Sequence, residues 1–132
     1  MTALVFTVMA LASEPNVVTS PAAETTSIST KLARQLFTGR KNKWANGAEA
    51  KVFVPPPESP EMTWLSERVI GLPPAVYQRF LSEQAYRSGQ PLPEQTASAA
   101  VLTKAAETFA SAGVLAVTSD PIEAPLVQLE LE

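Results

Sequence analysis

The 132-residue chain contains neither cysteine nor histidine. Without cysteine there is no disulfide, no thiol nucleophile and no thiolate metal ligand. Without histidine, the commonest general base and metal ligand is missing too. A Ser-His-Asp triad, a Cys/His zinc cluster and haem ligation by either residue are all excluded. Glycine is scarce, at five residues, and no P-loop, G-x-G-x-x-G or G-x-S-x-G segment occurs. No apolar run approaches the roughly 20 residues that a membrane-spanning helix needs. Charged residues make up 17% and the net charge is −3, so the molecule as a whole has no strong pull on nucleic acid or anionic membrane. These absences point away from an enzyme, a cofactor or metal site, a nucleic-acid partner and a membrane-spanning protein.

What is present reads as one folded domain. Hydrophobic residues reach 45%, and the length suits a single core. The opening run MTALVFTVMALA has the apolar character and the Ala-x-Ala-like end of a signal segment. Residues 1–12 are therefore expected to direct export to the periplasm, leaving residues 13–132 as the domain. A buried strand at Val5–Val8 is the competing reading of the same residues.

The twelve prolines mostly punctuate the pattern. Residues 16–20 read as a strand stopped by Pro21. Ser29 is placed to cap a helix carrying Leu32, Ala33, Leu36 and Phe37 on one face, with Gly39 at its end. Asn46-Gly47 is a turn within a basic loop, and residues 50–54 form a second strand ended by Pro55-Pro56-Pro57. Ser59-Pro60-Glu61 combines a cap, a proline at the first helical position and an acid in the first turn, and that helix should close at Gly71. Pro73-Pro74 opens another helix that runs to Ser88-Gly89, and residues 98–110 form a fourth. The continuous apolar run Val114–Val117 fits a strand covered on both faces. Val127, Leu129 and Leu131 alternate with polar residues as one strand with a wet face. Strands interleaved with about four helices predict an α/β fold with a small mixed sheet.

Six of the ten basic residues (Lys31, Arg34, Arg40, Lys41, Lys43 and Lys51) fall in one early stretch, whereas the C-terminus is acidic. A solvated helix face and loop would account for them, but Arg40, Lys41 and Lys43 beside Trp44 could also hold an anion or an acidic partner. Thr19 and Ser20 end the first strand, with Thr25, Thr26 and Ser27 following, where α/β proteins often place ligands, although an ordinary polar loop accounts for the same residues. Ser59 stands at a helix N-terminus, where free N–H groups and the helix dipole favour an oxyanion. Glu58 and Glu61 lack the nucleophile or metal that would make them an acid/base pair.

Taken in order, several segments resemble the small phosphate ABC-transporter substrate-binding proteins of the type-2 periplasmic binding fold. Leu32-Ala-Arg-Gln-Leu-Phe-Thr-Gly39-Arg40, Trp44 and Asn46-Gly47 are similar to that family's "F-x-G-K" and "W-x-x-G" run. Val52-Phe-Val-Pro55 with Ser59-Pro60 resembles its strand-to-helix turn, and Ala112-Gly-Val-Leu-Ala-Val117 its "G-A-I-G-Y-V" strand. The resemblance spans roughly residues 16–120. It implies one lobe of an exported solute-binding protein that takes phosphate or another small oxyanion and serves a membrane transporter or sensor. Candidate ligand-binding residues are then Ser59, Ser20, Thr19, Arg40 and Lys43. The family's Arg-x-x-Gly-Ser-Gly-Thr segment is only partly kept: Ser59 matches its serine, but its arginine becomes Pro55, its glycines Glu58 and Pro60, and its threonine Glu61. An accessory or protein-interaction domain that retains the fold without the ligand is the competing reading.

Overall fold

The computed structural model describes residues 15–132, so the expected leader at residues 1–12 lies outside the described residues. Along the chain come β1 (Asn16–Thr19), a 3-10 turn (Pro21–Ala23), β2 (Ser27–Ile28), α1 (Thr30–Phe37) and β3 (Ala50–Val54). Next are α2 (Pro60–Leu65), which continues into a π-turn (Ser66–Ile70), and α3 (Pro74–Ser88). The rest comprises β4 (Glu94–Gln95), α4 (Ala99–Thr108), β5 (Gly113–Thr118), β6 (Val127–Gln128) and β7 (Glu130–Leu131).

The fold is α/β, built on a five-stranded mixed sheet in the order β4-β3-β5-β1-β6. β3 runs parallel to β4 and β5, whereas β1 is antiparallel to β5 and β6. Every residue of β5 is buried. Side chains alternate along a strand, so Leu115 and Val117 join one core cluster and Val114 and Ala116 the other. β1 divides likewise, with Val17 on the first side and Val18 on the second. The first side is covered by Leu36 and Phe37 of α1, Met62 and Leu65 of α2, Val69 of the π-turn and Tyr77 of α3. The second is covered by Ala99, Leu102, Ala105 and Ala106 of α4. This two-sided cover is why the central strand reads as an unbroken apolar run.

The helix starts follow their local signals. Ser29 Oγ accepts from Leu32 N at 3.1 Å, and Ser59 Oγ accepts from Met62 N at 3.2 Å. The helix begun at Pro60 closes at Gly71 as expected, but by a different final turn. Its last turn widens to π geometry, with both Gly71 N and Leu72 N donating to Ser66 O at 2.7 and 3.2 Å. The wider turn lets Leu65, Ser66, Val69 and Ile70 all face inward. Gly71 then reverses the chain at φ 81°, a conformation a side chain would strain. α3 is tied to the end of α1 by Tyr77, whose buried hydroxyl donates to Phe37 O at 2.8 Å.

The expected strand over residues 127–131 divides into two. β6 pairs with β1, whereas β7 pairs in parallel with β2 in a separate two-stranded sheet. Leu129 sits at the switch, with its N–H on Val17 O and its side chain buried. Alternation survives the change of partner because the backbone stays extended.

Candidate functional site

The fold uses the hydroxyls of Ser20 and Ser59 and seals that of Thr19 inside. Ser20 is buried at the end of β1, where its Oγ accepts from Val114 N at 2.9 Å and donates to Ala112 O at 3.2 Å. It substitutes for backbone pairing where the β1–β5 ladder runs out, and no lone hydroxyl is left to offer a ligand. Thr19 is fully buried, and its Oγ1 has no hydrogen-bond partner among the described residues. Ser59 Oγ is used twice, accepting from Met62 N and donating to Pro56 O at 2.7 Å. The next residue, Pro60, has no N–H, and Glu61 adds a carboxylate to that first turn.

Nor do these residues converge. Ser20 meets β5 at Val114, whose partner on β3 is Lys51 at the strand's beginning, whereas Ser59 follows β3's other end at Val54. Ser20 and Ser59 therefore lie at opposite ends of the sheet. β1 runs antiparallel to β5 and β3 parallel to it, so their C-termini fall at opposite ends of the sheet. Lys43 stands at the Ser20 end, because its backbone forms an antiparallel β-bridge with Glu49 just before β3.

Trp44 is not a surface aromatic for stacking on a ligand. It is 4% exposed, and its Nε1 donates to Gly113 O at 2.9 Å. A Cβ on Gly113 would overlap the indole, standing 2.7 Å from Cδ1, so only glycine fits beneath the ring. The turn that carries Trp44 is closed by Trp44 N on Ala48 O at 2.8 Å. Asn46 Nδ2 on Ala22 O at 3.0 Å ties it to the 3-10 turn. With the tryptophan held inward, its neighbours Lys43, Lys41 and Arg40 are left exposed.

Those cations join others on α1. Lys31, Arg34, Gln35 and Thr38 recur at helical spacing, on the side away from Ala33, Leu36 and Phe37. Two adjoining grooves run along this face. The wider, of about 700 Å³, is lined by Lys31, Gln35, Arg40, Lys41 and Lys43 among others. The narrower, of about 340 Å³, is lined by Lys31, Arg34, Gln35, Thr38, Arg40, Ile70, Leu72 and Phe80. Lys31, Gln35 and Arg40 are common to both, and none of the described residues lining either is acidic. Arg34 is held in place by its Nε, which donates to Val69 O of the π-turn at 3.0 Å, leaving its terminal nitrogens to serve other partners.

Comparison with protein-family models, curated proteins and solved structures gave no match for this chain. The site is therefore read from its own chemistry. Five cations, with no carboxylate among the described lining residues, form a positive surface, and a guanidinium can hold an oxyanion through two parallel N–H bonds. Among the described residues, no helix is long and apolar enough to cross a membrane. Of the expected ligand-binding residues, Arg40 and Lys43 belong to this face, whereas Ser20, Thr19 and Ser59 do not line it. Lys31, Arg34 and Gln35 are the members that were missed as site residues. Their spacing along one helix face was the available signal, but a solvated face shows the same spacing.

Proposed function

We propose that the protein is a non-catalytic binding domain whose ligand carries an oxyanion, met by the cations of α1 and of the loop that follows. One observation carries this reading: Lys31, Arg34, Arg40, Lys41 and Lys43 line two joined grooves, with no carboxylate among the described residues that line them. The resemblance to the phosphate-type periplasmic binding proteins supports a small oxyanion such as phosphate, and a role beside a membrane transporter or sensor. Export belongs to the same proposal. The mature protein then begins at Ser13, and intact Met1 on the protein recovered from the cytoplasm of its host would count against it.

The accessory-domain reading draws on a specific observation as well. At the start of α2, where the family resemblance places the anion, Ser59 is fully engaged and Pro60 offers no donor. Calorimetry on the full chain with phosphate, sulfate and nitrate separates the two. Anion binding predicts a saturable signal that weakens as ionic strength rises, because exposed charges are screened over about 10 Å at 0.1 M salt. That signal should fall roughly tenfold in Lys31→Gln/Arg40→Gln, the scale of one or two charge-assisted bonds, and be indifferent to Ser59→Ala. Silence toward all three anions leaves the accessory domain as the function.

A further inference from the structure

We infer that the narrower groove selects organic anions, a phosphate or carboxylate joined to an apolar group about the size of a phenyl ring, over the bare inorganic oxyanion. The inference deepens, and rests on, the anion-binding reading of the same face.

The two walls of this groove differ in chemistry. One is the exposed side of α1 and its exit, bearing Lys31, Arg34 and Arg40. The other is apolar and comes from two elements, Ile70 and Leu72 around the π-turn and Phe80 on α3. A volume near 340 Å³ is far more than a phosphate fills, and lies at the lower end of the roughly 300–1,000 Å³ typical of small-molecule pockets. Such pockets usually combine apolar walls with a few placed polar groups, the combination found here. The wider groove differs on this point, because its largest apolar member, Trp44, is turned into the core.

The apolar wall is also built rather than incidental. The π-turn draws Ile70 inward to 6% exposure, and the reversal at Gly71 leaves Leu72 on the rim at 37% exposure. A single exposed leucine is unremarkable on a protein surface. This one lines a groove with a half-buried phenylalanine and three cations. π-turns cost regular hydrogen bonding and are found frequently at functional sites. Here the turn serves both walls, since it positions Leu72 and its Val69 carbonyl anchors Arg34. The Thr38 hydroxyl, on Arg34 O at 2.7 Å, ties down the end of the same helix face.

The test is a calorimetric titration of the full chain with phenyl phosphate, inorganic phosphate and phenol, repeated on Leu72→Asn. Methyl and amide shifts in nuclear magnetic resonance would locate the ligand. The expected result is phenyl phosphate binding at least roughly tenfold tighter than inorganic phosphate, since apolar burial adds to the charge contact. Leu72→Asn should erase most of that advantage by weakening phenyl phosphate far more than inorganic phosphate, and shifts should centre on Ile70, Leu72 and Phe80. Equal affinity for the two phosphates overturns the selectivity and leaves the anion-binding reading standing. Phenol binding as tightly as phenyl phosphate also overturns it, because the cations would then contribute nothing. Shifts centred on Ser59–Met62 instead would move the site to the start of α2 and overturn it too. Silence toward both phosphates removes the inference together with the reading beneath it.

Discussion

The residues first singled out by chemistry divide into two sets, hydroxyls and cations, and the fold treats them in opposite ways. Ser20 and Ser59 direct their oxygens at backbone groups, and Thr19 is sealed in the interior. Arg40 and Lys43 stay exposed and line grooves. A short hydroxyl close to the main chain is an available hydrogen-bonding group wherever a strand or helix ends, so the fold tends to use it. A long cationic side chain costs too much to bury unpaired and remains outside. The comparison teaches that polarity near an element's end is weak evidence for a ligand until its hydrogen bonds have been traced.

If that division holds, interior and hydroxyl changes should act on stability and cation changes on binding alone. The largest effect is expected at Trp44, the aromatic neighbour of the cation set that sides with the interior. Trp44→Ala should cost about 3–5 kcal/mol in denaturant unfolding, as for other large core truncations. Gly113→Ala should cost about 1–3 kcal/mol by overpacking the indole, and the double change should cost less than the sum. Additive costs would mean that the ring and the glycine do not meet as described.

Ser20→Ala comes next, at about 1–3 kcal/mol, because Val114 N and Ala112 O are left buried without their partner. Thr19→Val should go the other way, stabilising by about 1 kcal/mol, since it deletes a buried hydroxyl that lacks a partner. A loss of stability in Thr19→Val would show that the hydroxyl is hydrogen-bonded after all.

Tyr77 extends the comparison to a hydroxyl that can ionise. Burial raises its phenol well above the ordinary tyrosine value near 10. A raised folded-state value means that the stability contributed is intact below about pH 10 and is lost as the pH climbs toward the folded value. Unfolding free energy should therefore fall above about pH 10, and fall less steeply in Tyr77→Phe. At neutral pH the same change should cost about 1 kcal/mol through loss of the bond to Phe37 O. Identical alkaline profiles for the two proteins would place the pH dependence elsewhere.

The smallest stability effect is expected from the cations. Arg40→Gln and Lys43→Gln should leave unfolding within about 0.5 kcal/mol of wild type while weakening phosphate binding. Ser59→Ala should do the reverse, costing about 1 kcal/mol as a lost helix cap with phosphate binding unchanged. If Ser59→Ala abolished phosphate binding instead, the contrast between the two sets would fail at its central member.

Much of the architecture was legible in the residue pattern because its causes are local. Ser29 and Ser59 cap helices as their sequence context indicates, glycine closes turns at Gly71 and Gly89, and the apolar run at Val114–Val117 is a strand buried on both faces. The candidate site was legible only in part. Arg40 and Lys43 were named for their charge, whereas Lys31 and Arg34 were read with the solvated face of α1. Nothing local distinguishes a helix face open to solvent from one with a second wall opposite it.

Sequence alone thus determined the helices, the three longer strands and which face of each turns inward, since propensity, capping and periodicity act over a few residues. It did not determine the two-residue strands β2 and β4 or the division of β6 from β7. Only the tertiary structure decided that β1 runs antiparallel to β5, which carries Ser20 and Ser59 to opposite ends of the sheet. It also decided that Trp44 closes over Gly113 and that Leu72 and Phe80 face the cations of α1. Those outcomes depend on contacts between residues far apart in the chain, where strand direction and helix packing select among arrangements that local signals leave equal.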